Sequence, residues 1–315
     1  MSIQHVAVIG GTGTIGAPIL AALKSCPSFS TISVLNRSTS TSTYPSTHVI
    51  TIPSDLATPS LTALFKHHAI DALVIAIAGS HVDEQKRLID AAFQAGVQRV
   101  IPAEFGSCDS ADPRTCEVLP LMAGKKVVRE YLEEVARRER PQGQGHGHGH
   151  GGRLTWTALV TGHFFDYGLT CGLLKFDVER RTAYLVDGGA VKFSASTLPF
   201  IADAVVRVLE RPVETENRLL YVQSHYVTQL EVLAALEKVT GGPWERVQES
   251  SEEVLAVARP KMLEGEGEAL EEVVAVWGIV ASDWKGKHGF ANEVLGLEEE
   301  RLEETVRAVL GDRGK

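Results

Sequence analysis

His5-Val6-Ala7-Val8-Ile9 runs directly into Gly10-Gly11-Thr12-Gly13-Thr14-Ile15-Gly16, and this junction decides the fold. The apolar segment predicts a short buried strand. Ile15, Ile19, Leu20 and Leu23 then fall at helical spacing over residues 15–25. The glycines satisfy G-x-x-G-x-x-G through Gly10, Gly13 and Gly16, and G-x-G-x-x-G through Gly11, Gly13 and Gly16. Alone such a pattern is weak, but between a strand and a helix it has the context that binding a dinucleotide requires. Glycine permits the tight turn, and missing side chains let backbone N–H groups approach a pyrophosphate. The helix N-terminus then stabilises the anion. The predicted cradle is therefore Gly10, Gly11, Thr12, Gly13, Thr14, Ile15 and Gly16.

Working outward, the chain alternates strand-like and helix-like blocks. Strands are predicted at residues 31–35, 48–52, 71–78 and 98–102, and helices at 61–66, 84–95 (ended by Gly96) and 119–140. Near-continuous apolar strands imply burial on both faces, as in a parallel sheet. The fold class is α/β: a Rossmann-type doubly wound parallel sheet with right-handed crossovers. A strand at 154–160 closes this part. Beyond it, short strands at 184–187 and 191–193 flank Gly188-Gly189, and helices are expected at 197–210, 229–240, 250–259, 268–276 and 297–310. The expected division is a dinucleotide-binding domain over residues 1–160 and a smaller, mostly helical substrate lobe over 161–315, partly interleaved with the first and closing over the C-terminal edge of the sheet.

The bulk numbers narrow the function. A chain of 315 residues with net charge −9 repels phosphate backbones, so nucleic acid is not an expected partner. The N-terminus lacks the basic region and cleavage site of a signal peptide. The longest apolar runs, 72–79 and 273–281, are about half the ~20 residues a spanning helix needs. A soluble, cytoplasmic protein with no membrane partner is expected. The four cysteines, Cys26, Cys108, Cys116 and Cys171, form no Cys-x-x-Cys and read as plain thiols. Residues 141–152, PQGQGHGHGHGG, carry alternating histidines. Their glycine content suits a surface insertion better than a metal site, which needs ligands held by a packed shell, and no metal is expected.

The end of the second strand selects the dinucleotide. An acid there would bind a ribose 2′-hydroxyl, but the chain reads Val34-Leu35-Asn36-Arg37-Ser38. Arg37 can pair with a 2′-phosphate and Ser38 can donate to it, which points to NADPH. Asp55, after the third strand, is expected near the adenine amino group. Gly79 and Ser80, after the fourth, are expected along the path to the nicotinamide. None of the six tyrosines has lysine four residues later, so the usual Tyr-x-x-x-Lys of short-chain dehydrogenases is absent. The replacement candidate is Lys125, which shares a helix face with Arg129. Desolvation and a neighbouring cation can lower a lysine pKa into acid/base range. From spacing alone, a solvated helix lysine is the plainer alternative.

Ile101-Pro102-Ala103-Glu104-Phe105-Gly106 resembles the Pro-Ser-Glu-Phe-Gly stretch of the isoflavone reductase-like and phenylcoumaran benzylic ether reductase family, within the NmrA-like, atypical short-chain dehydrogenases. The glycine-rich segment, Asn36-Arg37-Ser38, and Lys125 with Val128-Arg129 fit as well. The stretches 161–169, 187–195 and 291–297 resemble fungal members. The resemblance implies that Lys125 is the acid/base group beside the nicotinamide and that Phe105 and Arg129 lie near the cofactor. Two features depart from the plant pattern. Residues 38–47 contain no lysine or arginine, and Gly162-His163-Phe164 replaces Asn-Cys-Phe at the substrate pocket. The insertion at 141–152 is not a family feature either.

His163 has two readings, a hydrogen-bond donor to substrate or a structural histidine at a strand end. Phe164 and Tyr167 are candidates for an aromatic wall, with packing in the core as the alternative. The expected activity is NADPH-dependent reduction of a small aromatic or enone-type secondary metabolite. The alternatives are a non-catalytic NADP(H) sensor of NmrA type that signals to a protein partner, and a reductase-derived cyclase or isomerase. A homodimer is allowed but not specified.

Overall fold

A computed structural model describes residues 3–139 and 153–311. The insertion at 141–152 lies outside the described residues. Along the chain run β1 (His5–Ile9), α1 (Gly16–Ser25), β2 (Thr31–Arg37), β3 (His48–Ile52), α2 (Thr58–His67), β4 (Ala72–Ile75), α3 (Val82–Ala95), β5 (Arg99–Ile101), α4 (Pro113–Val118), α5 (Pro120–Arg137) and β6 (Thr155–Val160). There follow β7 (His163–Phe164), α6 (Phe165–Cys171), β8 (Phe176–Asp177), β9 (Thr182–Val186), β10 (Lys192–Ser196), α7 (Leu198–Glu210), β11 (Arg218–Tyr221), β12 (His225–Thr228), α8 (Gln229–Thr240) and β13 (Glu245–Glu249). The chain ends through α9 (Ser251–Leu263), α10 (Gly267–Val280), α11 (Asn292–Leu295) and α12 (Leu302–Gly311).

Two compact units emerge. The first comprises Met1–Glu104, Gly124–Leu159 and Ile201–Leu220, and the second Phe105–Ala123, Val160–Phe200 and Tyr221–Lys315. The first holds a seven-stranded sheet in the order β11-β6-β5-β4-β1-β2-β3. The ladders from β3 through β6 are parallel, with Val8 facing Val34 on one side and Val74 on the other. This is the doubly wound arrangement, and its strand order reverses between β1 and β4, where ligands of such sheets bind.

Local chemistry explains the elements. All residues of β1 and β4 are buried, as expected for strands covered on both faces. Helix α3 opens with Asp83 and Glu84, which favour its positive N-terminal end, and stops at Gly96 with φ 90°. Ile9, Leu35, Ile75, Leu88, Val128 and Leu132 belong to the apolar core of this unit. At the opposite end of the sheet from the glycine-rich loop, the Arg99 side chain is fully buried. It donates to Thr155, Thr157 and Thr215 hydroxyls at 2.8–3.0 Å and to the Pro212 carbonyl at 2.5 Å.

The second unit holds the expected helices and more strand than the sequence pattern announces. Beside its helices it contains two three-stranded sheets, β12-β10-β7 and β13-β9-β8. Phe165, Phe176, Phe193, Leu233 and Ile279 form part of its core. Helix α8 carries a complete capping box between Thr228 and Glu231. Helix α4 was not anticipated; Asp112 caps it and Pro113 opens it. The expected helix at 297–310 is α12, which begins at Leu302 after the separate short α11. Among the described residues, no helix is long and apolar enough to cross a membrane.

Candidate dinucleotide and catalytic site

The loop between β1 and α1 passes over the end of β4. Gly10 has φ 87°, a conformation that favours glycine, and a Cβ there would overlap the Ala76 carbonyl. A Cβ on Gly16 would overlap the Gly10 carbonyl oxygen. The turn closes through Gly13 N donating to Gly10 O at 2.9 Å. Thr12, Gly13 and Thr14 stay exposed, Ile15 is half-buried, and no side chain caps α1. The Ala17 and Ile19 N–H groups are taken by the Gly13 and Ile15 carbonyls and Pro18 has none, so the part of this cradle that fits a dinucleotide pyrophosphate is the backbone of Thr12, Thr14, Ile15 and Gly16.

Arg37 closes β2 half-buried and Ser38 is exposed; the Ser38 N–H donates to Ile52 O at 2.9 Å, anchoring the loop that follows. That loop folds back on the cradle. Ser42 Oγ lies 3.4 Å from Thr12 Oγ1, and the Tyr44 ring lies 3.1 Å from where a Gly11 Cβ would stand. Sequence reasoning missed this strap, since only the run of hydroxyl residues hinted at it. Asp55 is exposed and accepts from Ala57 N at 3.1 Å in the turn before α2.

Gly79, on the loop after β4, is half-buried. Its carbonyl oxygen lies 3.5 Å from where a Gly124 Cβ would stand, and Val82 lies 3.3 Å away. Glycine at 124 therefore lets α5 approach this loop closely, and Lys125 is the next residue. The Lys125 Nζ donates to the backbone oxygen of Glu104, just past β5. Glu104 is itself buried, and its carboxylate accepts from Arg129 Nη1 at 3.2 Å. On the other side of this turn, Gln85 Oε1 accepts from Ala103 N at 3.1 Å. Arg129, the cation expected beside Lys125, is thus paired with a carboxylate and buried. The parts played by Glu104, Gln85 and Gly124 went unread in the sequence, although a glutamate at the end of an apolar strand is a visible signal.

Phe105 is buried at φ 28°, a left-handed conformation rare for a bulky residue, and Gly106 bridges to Val160. His163 is enclosed at the start of β7. It is 2% exposed, its Nε2–H donates to Ala275 O at 3.2 Å, and its edge meets Phe193. Burial pushes its pKa down to about 4, so the ring is neutral. A buried ring already bonded to the backbone favours the structural reading of His163 over that of a substrate donor. Phe164 is half-buried. Tyr167 is 40% exposed and lines a 440 Å³ cleft with Leu198, Pro199 and Val309. Among the described residues, no group of three His, Cys, Asp or Glu side chains is placed to hold a metal ion.

A doubly wound sheet with a glycine cradle at its switch point defines a dinucleotide-binding class of protein. Comparison with known proteins narrows it. Residues 2–139 match the NmrA-like family. Oxidoreductase aprR of Aspergillus flavus is 31% identical over 97% of this chain and 98% of that protein. Oxidoreductase poxI of Penicillium oxalicum is 30% identical over 95% and 91%. Among solved structures, the binary complex of leucoanthocyanidin reductase with NADPH from Vitis vinifera aligns with TM-score 0.75 at 18% identity, covering 98% of this chain and all of that one. A structure from the pinoresinol-lariciresinol and phenylcoumaran benzylic ether reductases gives 0.76 at 19%, covering 97% and 99%. The chain belongs to the NmrA-like family and is an oxidoreductase.

Proposed function

We propose that this chain is an NADPH-dependent reductase of a small aromatic or enone-type molecule, with Lys125 as its acid/base group. The observation that carries this is the placement of Lys125. It lies in the second turn of α5, next to the Gly124 that approaches the Gly79 carbonyl on the loop after β4, and its amine reaches the Glu104 carbonyl just past β5. Support for the dinucleotide comes from the cradle, from Arg37 at the end of β2, and from the structural neighbour solved with NADPH. A neighbour solved with NADP+ and (+)-pinoresinol supports an aromatic substrate.

Bound NADPH would supply a hydride to the substrate. The backbone N–H groups of Thr12, Thr14, Ile15 and Gly16, where α1 begins, would hold the pyrophosphate, and Arg37 with Ser38 the 2′-phosphate. Asp55 is proposed near the adenine, Gly79 and Phe105 along the dinucleotide, and Phe164 and Tyr167 as aromatic surface for the substrate. The Lys125 ammonium, held by the Glu104 carbonyl, gives a proton to the atom that gains negative charge during reduction. Solvent then reprotonates the amine, so one proton is consumed per turnover.

The test is substrate-dependent oxidation of NADPH across carbonyl, enone and benzylic ether compounds. Wild type should turn over at least one class. Lys125→Ala should lose about 100-fold or more in kcat with NADPH affinity retained. Unchanged turnover in Lys125→Ala would remove Lys125 from the reaction. Tight dinucleotide binding without any turnover would favour a sensor instead.

A further inference from the structure

The turn after β5 and the first turns of α5 are locked together by a device that the proposed reaction does not itself require. Glu104 makes two different contacts with α5. Its backbone oxygen receives the Lys125 amine, and its carboxylate receives the Arg129 guanidinium at 3.2 Å. Lys125 and Arg129 are one helical turn apart, so both contacts fall on one face of α5. The Glu104 and Arg129 side chains are only 1% and 7% exposed. A buried ion pair is held firmly when each charge keeps its partner, and removing one partner leaves an uncompensated charge. Gln85 braces the same turn from α3 through Ala103 N.

We propose that Glu104 and Arg129 are positioning residues for Lys125: their buried ion pair aims the carbonyl that holds the Lys125 amine and keeps the local field on that amine close to neutral. This rests on the reading of Lys125 as the acid/base group. The physical content lies in the cancellation. Arg129 alone would disfavour the ammonium, and the Glu104 carboxylate alone would favour it. Together they let the half-buried Lys125 ammonium stand beside a buried charge pair without either charge dominating. The other charged groups on these elements are Asp83, Glu84, Lys86, Arg87 and Asp90 on α3 and Lys126, Glu130, Glu133, Glu134 and Arg137 on α5; Lys86 lies over the Tyr131 ring, Asp90 accepts from the Tyr131 hydroxyl, Glu133 pairs with Arg137 and Glu134 with Arg138. His81 and Glu84 at the start of α3 lie 3.2 Å apart, and Lys126 reaches Glu130 at 3.7 Å on α5. Asp83 is the remaining acid in the first turn of α3.

The experiment is competitive acetylation of Lys125 with trace acetic anhydride from pH 7 to 12, read by peptide mass spectrometry on the full chain without ligand. It needs neither NADPH nor substrate, so failure of the reductase reading and failure of this proposal are distinguishable. Glu104→Gln should move the Lys125 titration midpoint down by about one pH unit, and Arg129→Gln should move it up by a similar amount. The double variant should return near wild type. Shifts in the same direction, or no shift in single variants that melt cooperatively, would overturn the proposal. Where a glutamine variant does not fold, Arg129→Lys decides. It keeps both charges but shortens the clamp, so the midpoint should hold while acetylation becomes faster. A displaced midpoint or an unchanged rate would equally overturn the proposal.

Discussion

Replacing His163 with glutamine should flatten the acid limb of the stability curve. The ring is buried beside α10, where a Cβ on Gly278 would overlap it, and its Nε2–H is bonded to Ala275 O. Its pKa is pushed down to about 4 from 6.5. A depressed folded-state pKa means that the unfolded chain binds the proton more readily. The stabilisation is therefore whole above pH 6.5 and is lost as pH falls toward 4. From these two values the loss attributable to His163 is about 1.4 kcal/mol at pH 5.5 and about 2.5 kcal/mol at pH 4.5. That is a large share of an ordinary stability of about 5–15 kcal/mol. Glutamine retains a donor for Ala275 O but does not titrate, so it lowers stability at pH 7.5 through poorer packing while removing this dependence.

The assay is urea unfolding followed by tryptophan fluorescence at pH 7.5, 6.5, 5.5 and 4.5, since Trp244, Trp277 and Trp284 all lie in the same unit as His163. His225, whose pKa burial also pushes down to about 4, destabilises both proteins equally as pH falls. Asp166, whose pKa burial raises, acts in the opposite direction, again in both. The gap between wild type and variant should close by more than about 1 kcal/mol between pH 7.5 and 5.5. Parallel curves would refute the reasoning.

Other consequences follow from the same geometry. Gly16→Ala places a methyl on the Gly10 carbonyl, so dinucleotide binding should fall below detection in a fluorescence titration, with a lower melting temperature. Arg99→Met removes the guanidinium from the Pro212 carbonyl and three threonine hydroxyls, and should cost about 2 kcal/mol in chemical denaturation without altering dinucleotide affinity. Retained affinity in Gly16→Ala would contradict the cradle, and lost affinity in Arg99→Met would contradict its placement as a strut far from the ligand.

The first unit was legible because its signals are local. The glycine-rich junction, the buried strands and Gly96 each act within a few residues. β3 is found at residues 48–52 and α8 at 229–240, as the pattern predicts. Legibility failed where structure depends on distant partners. β13 is Glu245-Arg246-Val247-Gln248-Glu249, with no apolar alternation, and it exists by pairing with β9, where Val247 meets Tyr184. The burial of His163 is set by Gly278 and Ala275, which no local pattern announces. Within the site, Lys125 and Arg129 were visible as a pair four residues apart. That Arg129 reaches Glu104 rather than acting on Lys125 as a bare cation required the packing of α5 on the turn after β5.

Titration of the purified protein with NADPH and with NADH, with Arg37→Ala alongside, decides whether the glycine cradle and Arg37 bind the dinucleotide. Tighter binding of NADPH, with the preference lost in the variant, is the predicted result and would support the cradle and the 2′-phosphate contact together. Absence of binding to either dinucleotide would mean that the cradle serves another purpose, and would remove the basis for reductase chemistry.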